Sequence, residues 1–295
     1  MPQPQRLFSP LTVGRLRLRN RLVMEALPSG RATLEGFVDA PLQAFYLERA
    51  RGGAGALVIE TCLPCPPAKP ASHLGLYADA HIPELRSCIR AIQDEGCAAL
   101  VMLDQPGGIQ GLRGSDLVEA FALAAWRALS ASADGIMLST ADDGPFQRLC
   151  EPGAGEARLA TLLQIVETCI GWLGRRCIIG VRLAIEEHIP GGLTLQDARV
   201  VARRLTSAGA RLIEVTVRVG SDTLIAQFPG WQMPVAAAMK AVIETPVIVG
   251  GQLDDPVLAE HCITDSCADL VAIGERLLIE PDWPLRIQPQ KNRRW

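Results

Sequence analysis

The sequence predicts an α/β protein that forms a single (β/α)8 TIM barrel with a short N-terminal hairpin. Short apolar runs rich in β-branched residues alternate about eight times with amphipathic segments, and no low-complexity linker separates them. The chain of 295 residues is 48% hydrophobic and 21% charged, which is enough for one large core. Because right-handed βα units repeated eight times close into a barrel, residues 1–295 are expected to form one domain.

The first half of the chain is predicted to supply the hairpin and four strands. Residues 16–19 read LRLR, an alternation typical of an exposed hairpin. A glycine pair after residue 51 is expected to end the first helix, and Ser115 is expected to cap the helix that follows the third strand. The predicted strands are 20–24, 57–59, 99–103 and 135–138, and the predicted helices are 40–51, 83–96 and 116–131.

The second half is predicted to supply four more strands, at 178–183, 212–216, 247–249 and 270–273. Helices are expected at 156–173 and at 195–208, the latter capped by Thr194. The last two strands break at glycine, at Gly250-Gly251 and at Gly274, just before helical patterns begin. Glycine lets a ligand approach the backbone closely, and a following helix directs free N–H groups toward it. Such turns after the last two strands of a barrel predict a phosphate cradle.

Composition limits the class of protein. A net charge of −3 and a pI near 5.9 argue against a nucleic-acid partner. No apolar run reaches the roughly 18 residues of a membrane helix, and the N-terminal residues carry no signal-peptide pattern, so a cytoplasmic protein acting on a small molecule is expected. The nine cysteines are scattered, which favours reduced thiols. Cys62 and Cys65 have metal-pair spacing, but no second pair accompanies them, so no metal site is expected.

Several segments resemble one family in matching order. They are LFSPLTVGRLRLRNRLVM, ARGGAGALVIE, IIGVRLA with GGLTL after it, PVIVGGQLDDP and DLVAIGERLLIEPDWP. Together they resemble the old yellow enzyme group of NADH:flavin oxidoreductases over nearly the whole chain. The resemblance implies a barrel that holds FMN, takes hydride from NADH or NADPH, and passes it to an activated C=C bond such as that of an enone.

The resemblance also implies which residues contact FMN. Arg182 matches the family arginine that faces the N1/O2 edge of the flavin, where a cation stabilises the anionic reduced ring. Gly251 and Gly274 match the glycines of the phosphate turns. Beside them the family usually has arginine, whereas this chain has Gln252 and Glu275. A carboxylate next to a phosphate is repulsive unless it points away.

Three further positions are expected to lie against the cofactor. Ala26 and Leu27 follow the first strand, at the functional face of the barrel. Met102 stands where the family has a glutamine against the flavin pyrimidine, and its thioether cannot supply the hydrogen bonds of an amide.

The fourth-strand motif that holds the substrate in the family is altered. There, His and His or Asn hold the substrate carbonyl oxygen, and a Tyr often delivers the proton. Residues 134–144 of this chain read DGIMLSTADDG, with Ser139 and Asp142 in place of the two donors and no tyrosine. An enolate-like transition state needs neutral or positive donors, so an ionised Asp142 opposes ordinary ene reduction. The site is therefore expected to be degenerate and to use an altered mechanism.

Two loops that roof the flavin and substrate in the family are shortened, after strand three (residues 109–114) and after strand four (between residues 152 and 153). The barrel mouth is therefore expected to be open, or to be covered by a partner subunit or a second copy of the chain.

Carboxylates at strand ends leave a second interpretation open. Glu25, Asp104 and Asp142 follow the first, third and fourth strands. If two of them converge, one could have a raised pKa and act as acid or base in an isomerase, cyclase or lyase of secondary metabolism that lacks flavin. Alternatively they are solvated or paired with arginines. A third interpretation is a noncatalytic subunit whose barrel mouth binds another chain.

Overall fold

The computed structural model describes residues 5–68, 73–107, 114–141, 144–149, 151–174, 177–185, 192–218 and 224–289. Within these residues, eight parallel strands close into a barrel, which confirms the predicted fold class. In spatial order the barrel strands are β3 (Leu22–Met24), β4 (Ala56–Leu63), β6 (Ala98–Leu103), β7 (Gly135–Ser139), β8 (Ile178–Ile185), β9 (Leu212–Val217), β10 (Val247–Val249) and β11 (Leu270–Ile273).

Helices cover the outside of the barrel and follow the strands in the expected alternation. They are α1 (Ala40–Arg51), α2 (Ile82–Asp94), α3 (Ser115–Ser130), α4 (Gly155–Leu173), α5 (Leu195–Ala208), α6 (Met233–Lys240), α7 (Pro256–Thr264), α8 (Glu275–Ile279) and α9 (Trp283–Ile287). Outward-facing strand residues and inward-facing helix residues form one continuous apolar layer between sheet and helices.

The barrel interior is filled by side chains at alternate strand positions. These residues include Val23, Ala56, Val58, Leu100, Met102, Met137, Leu212, Ile248 and Leu270. Such a layered apolar filling makes the barrel a packed core and leaves ligand binding to the loops that follow the strands.

The predicted N-terminal hairpin closes the opposite end of the barrel. Its strands are β1 (Leu11–Val13) and β2 (Leu16–Leu18), which pair antiparallel. Val13 and Leu18 are buried in the same cluster as the barrel interior. A β-carbon placed on Gly14, in the turn between them, would lie 3.0 Å from Cδ1 of Ile178, the first residue of β8. The hairpin therefore seals the amino ends of the strands.

The structure differs from the sequence prediction at a few element ends. β4 runs to Leu63, beyond the predicted residue 59, because it also pairs with a two-residue strand, β5 (Leu74–Gly75). Ser115 is the first residue of α3 and makes no capping hydrogen bond, since Gly114 occupies the cap position. The predicted Thr194 cap is confirmed: its Oγ1 accepts the N–H of Asp197 at 3.2 Å.

No helix in the described ranges combines the length and the apolar character needed to cross a membrane.

Candidate active site

A cavity of about 320 Å³ opens at the carboxyl ends of β3 and β8–β11. Its volume lies at the lower end of the range of small-molecule sites, roughly 300–1,000 Å³. The charged residues of its wall are Glu25, Arg182, Glu214, Asp254, Glu275 and Arg276. The position at the strand ends is the one that barrel enzymes use for chemistry.

Most of the residues predicted to bind the cofactor line this cavity. They are Leu27, Arg182, Gly251, Gln252, Gly274 and Glu275. Glu25, predicted as an acid or base, lines it as well. The first, fifth, seventh and eighth barrel strands thus bring together residues that are far apart in the sequence.

The other predicted residues lie elsewhere. Met102 and Ala26 pack in the barrel interior. Ser139 is buried at the end of β7, where its Oγ accepts the N–H of Ala141 at 3.1 Å. Asp104 is buried after β6, and its Oδ1 accepts the N–H of Gln105 at 2.7 Å.

Asp142, the second predicted substrate contact, lies outside the described residues, as do residues 108–113 of the shortened loop after β6. A β-carbon placed on Gly144, the first described residue after Asp142 and Asp143, would overlap Oδ1 of Asp104. The chain after β7 therefore returns close to the end of β6.

Arg182 forms an ion pair inside the cavity wall. Its Nη2 lies 2.8 Å from Oε1 of Glu214, and the two side chains are only 12% and 6% exposed. Its Nη1 also donates a long hydrogen bond, 3.4 Å, to the carbonyl oxygen of Ala26. These contacts hold the guanidinium in the wall of the cavity.

The sequence interpretation missed Glu214 as a site residue. It is the one acidic residue in the strand LIEVTV, which is otherwise apolar or uncharged. An isolated carboxylate in a buried strand is rarely tolerated without a cation beside it. That signal, together with Arg182 on the preceding strand, could have identified the pair.

Glu25 lies across the two glycine turns. A β-carbon placed on Gly250 would overlap its Oε1, and one placed on Gly274 would lie 3.1 Å from its Oε2. Burial raises the pKa of the Glu25 carboxyl from 4.5 to about 7; Arg182 opposes this shift, and the carboxylates of Glu214 and Glu275 add to it. At neutral pH the cavity therefore holds Glu25 in both its neutral and its ionised form.

The side chains beside the turns are either bound by other groups or exposed to solvent. Arg276 donates to Oδ2 of Asp254 at 2.7 Å and to Oε1 of Glu280 at 2.9 Å. The amide of Gln252 donates to the carbonyl oxygen of Ala226 at 2.9 Å. Glu275 is exposed. The predicted repulsion between Glu275 and a phosphate is therefore weakened by solvent.

Two buried acceptors of the cavity wall have no hydrogen-bond partner among the described residues. They are Oε2 of Glu214 and Oε1 of Gln232. A buried polar atom without a protein partner is costly, so such atoms are satisfied by water or by a ligand that donates to them. The hydroxyl groups of a ribityl chain are donors of the right kind. Together with Arg182 and the glycine turns, these acceptors fit a flavin nucleotide.

Fold and cavity define the class: a (β/α)8 barrel with a cofactor site at the carboxyl ends of its strands. The model of the NADH:flavin oxidoreductase / NADH oxidase family matches residues 6–111 and 115–294. The chain belongs to this family, and its cofactor is FMN. Family membership confirms the resemblance drawn from the sequence motifs.

The chain is similar to curated proteins of two lengths. It is 28% identical to the NADH oxidase of Thermoanaerobacter brockii over 324 aligned residues, which covers 94% of this chain and 50% of that protein. It is 26% identical to the NADPH dehydrogenase of Geobacillus thermodenitrificans, covering 94% of this chain and 92% of that protein. The chain therefore spans about half the length of the first relative and nearly all of the second.

Among solved structures, the old yellow enzyme homologue from Zymomonas mobilis superimposes with a TM-score of 0.78. Its sequence is 19% identical, and the match covers 95% of this chain and 91% of that one. At this identity the similarity shows the shared barrel fold.

Proposed function

We propose that this chain is an FMN-dependent oxidoreductase that takes hydride from NADH or NADPH and reduces a small conjugated, enone-like molecule through an altered substrate clamp. The observation that carries the proposal is the convergence of Arg182 with the glycine turns Gly250-Gly251 and Gly274 on one cavity. The names of the two relatives, NADH oxidase and NADPH dehydrogenase, support the choice of reductant.

The residues that would hold FMN are Arg182, Gly251, Gly274, Leu27 and Gln232. When bound, FMN supplies the hydride chemistry between the nicotinamide and the acceptor. Arg182 contributes a permanent positive charge, which stabilises negative charge developing on a bound group. The glycine turns leave the backbone open to close approach, and Gln232 offers its unpaired amide oxygen to a hydroxyl.

The residues proposed to contact the substrate are Ser139 and Asp142, which occupy the sequence positions of the two donors in the family. Ser139 pairs in register with Arg182 across β7 and β8, so it lies beside the cavity wall. A hydroxyl is a neutral donor and suits a carbonyl that gains negative charge. This chain has one neutral donor and one acid in place of the two family donors. We therefore propose that it turns over simple enones slowly and prefers a substrate that also carries a hydrogen-bond donor.

Absorption spectroscopy of the purified protein tests the proposal. A yellow protein is expected, with flavin bands that bleach under anaerobic NADPH or NADH and return when a conjugated acceptor such as cyclohexenone is added. Arg182→Met should lose the flavin, whereas Arg182→Lys should retain part of it because the charge remains.

Two outcomes would contradict the proposal. A colourless protein that ignores added FMN would favour the flavin-free barrel, with acid/base chemistry on Glu25. A flavin that both nucleotides fail to bleach would leave a bound cofactor without the proposed hydride transfer.

A further inference from the structure

The glycine turns of the cavity are bridged by one carboxylate. Oε1 of Glu25 occupies the space over Gly250, and its Oε2 faces Gly274. The backbone of Glu25 is held by a hydrogen bond to the neighbouring strand. Its N–H donates to the carbonyl oxygen of Ile273, the last residue of β11, at 3.2 Å. The position of the Glu25 backbone therefore follows from the pairing of β3 with β11, which directs the side chain toward the glycine turns.

The charges that face Glu25 come from three neighbouring elements. Arg182 on β8 is the cation, and Glu214 on β9 and Glu275 on α8 are carboxylates. Arg182 is already engaged by Glu214 at 2.8 Å. One guanidinium thus faces two buried or partly buried carboxylates, so the ionised form of Glu25 is only partly compensated.

The remaining charged groups of the wall compensate one another. Arg276 is bound by Asp254 at 2.7 Å and by Glu280 at 2.9 Å. Arg276 therefore already carries two carboxylate partners and offers little charge to a third anion near Glu25.

A phosphate that enters the glycine turns meets the Glu25 carboxyl directly. If that group is ionised, the two anions repel at short range, and the two described cations of the wall, Arg182 and Arg276, already face carboxylates. If it is protonated, its O–H can donate a charge-assisted hydrogen bond to a phosphate oxygen. A single proton thus changes the contact from repulsive to attractive.

We propose that Glu25 controls the phosphate end of the flavin site, so that FMN binds with the uptake of one proton from solvent by Glu25, whereas riboflavin, which lacks the phosphate, binds without it. The inference rests on the flavin binding proposed above. It makes Glu25 a specificity-determining residue that couples cofactor loading to pH.

The raised pKa of Glu25, about 7, supports this proposal. Near that pH the carboxyl is divided between its two forms, so a proton is available at little cost. The second ionisation of a phosphate monoester occurs near pH 6, so above pH 7 the charge of FMN is constant. Free FMN therefore brings no change of charge of its own in that range, and Glu25 is the group beside the glycine turns that is placed to take up the proton; the Glu25→Gln variant distinguishes it from the bound phosphate.

Calorimetric titration of flavin-free protein tests the proposal without measuring activity. Titrations with FMN and with riboflavin are repeated in buffers of different ionisation enthalpy at pH 8, which yields the number of protons bound. Close to one proton per FMN and none per riboflavin are expected. The FMN dissociation constant should rise about tenfold per pH unit above pH 7, as one linked proton requires.

Glu25→Gln provides the matched variant, since it keeps the shape of the side chain and stays neutral. Its affinity for FMN should be constant between pH 7 and 9, with no proton uptake. Glu48→Gln serves as control, because Glu48 lies on α1 with a 65% exposed side chain and should keep the wild-type pH dependence.

The outcomes are distinct. FMN binding with constant affinity above pH 7 and no proton uptake would overturn the inference alone, as would equal proton uptake with riboflavin. Absence of flavin binding at every pH would overturn the proposed function and this inference with it. If Glu25→Gln does not fold, the number of protons that the wild-type protein binds with FMN and with riboflavin still tests the inference.

Discussion

Arg182 and Glu214 are direct partners on adjacent strands. Their backbones pair in register between β8 and β9, and Nη2 of Arg182 lies 2.8 Å from Oε1 of Glu214 in a nearly solvent-free wall. A buried ion pair adds little net stability over an apolar pair, because both ions lose their hydration. Breaking it is costly, because the remaining charge stays buried and unpaired.

Replacing Arg182 by methionine should therefore destabilise the flavin-free protein by about 3 kcal/mol, measured as the free energy of unfolding in urea. The double variant Arg182→Met with Glu214→Met should recover most of that loss. Arg204→Met is the control, because Arg204 and Glu156 form a pair of the same 2.8 Å length on the surface, with side chains 40% and 73% exposed.

The surface variant is expected to lose less than about 1 kcal/mol. Equal losses at the buried and surface sites would show that burial of the Arg182 pair has no energetic consequence. The explanation by an unpaired, buried Glu214 carboxylate would also be contradicted if the double variant were less stable than Arg182→Met alone.

The raised pKa of Glu25 predicts how stability depends on pH. The folded protein retains a proton up to about pH 7 that the unfolded chain releases near 4.5. The folded state therefore binds more protons in this window, and stability falls as pH rises through it, by on the order of 3 kcal/mol in total. Above pH 7 Glu25 is ionised in the folded protein, and this loss of stability is complete.

Urea unfolding of flavin-free protein at pH 5.5 and at pH 8 measures this effect. Glu25→Gln should gain about 2 kcal/mol relative to wild type between the two pH values, because it has no carboxyl to ionise. Glu48→Gln should follow the wild type. If the difference in free energy of unfolding between wild type and Glu25→Gln is the same at both pH values, Glu25 has an ordinary pKa in the folded protein.

The fold could be predicted because its signals are local. Apolar runs such as 247–249 and 270–273 are strands in the structure at the predicted bounds, and α1 also matches. Errors concentrate at ends, as at β4 and α3, where a partner strand or a cap residue decides the last residues. Such partners are set by tertiary contacts that periodicity does not contain.

The site could be predicted only where one residue carries the signal. The motifs around Arg182 and Gly274 predict that both lie at the barrel mouth, and both line the cavity. The contact of Glu25 with Gly250 could not be predicted, because it depends on which strands become neighbours and on the register of β3 against β11 and of β11 against β10. Gln232 was missed for the same reason, since nothing in its local sequence indicates an unpaired buried amide.

Gly250→Ala tests whether the glycine turn is needed for the cofactor. The added methyl group would overlap the end of the Glu25 side chain. That end is flexible, so the cost in folding stability should be modest, about 1 kcal/mol, while FMN affinity should fall about tenfold or more because the cradle is filled. Fluorescence quenching on FMN titration gives the affinity.

The control for this variant is Gly171→Ala. Gly171 lies in α4, and a β-carbon there meets no heavy atom within 4 Å. Its replacement should leave FMN affinity unchanged and stabilise the helix by about 0.5–1 kcal/mol. Wild-type FMN affinity in Gly250→Ala would show that the phosphate is held elsewhere in the cavity.

Tyr46 anchors a buried carboxylate beside the functional face. Its hydroxyl accepts the N–H of Glu60 at 2.9 Å and lies 3.4 Å from Oε1 of the same residue. Ser29, in the loop after β3, donates to Glu60 through both its hydroxyl and its N–H, at 2.5 and 3.1 Å. Burial and the charge of Glu60 raise the pKa of Tyr46 well above 10, so the hydroxyl keeps its proton.

Tyr46→Phe should therefore lower the free energy of unfolding by about 1–3 kcal/mol, because the backbone N–H of Glu60 is left buried without an acceptor. Tyr77→Phe is the matched control: its hydroxyl donates one exposed hydrogen bond, 3.0 Å to the carbonyl oxygen of Glu35, so its loss should cost no more than about 0.5 kcal/mol. Urea unfolding compares the two variants at one pH. A loss at position 77 as large as that at position 46 would contradict the unsatisfied donor as the cause, since both variants remove the same atom and only one removes it from a buried site.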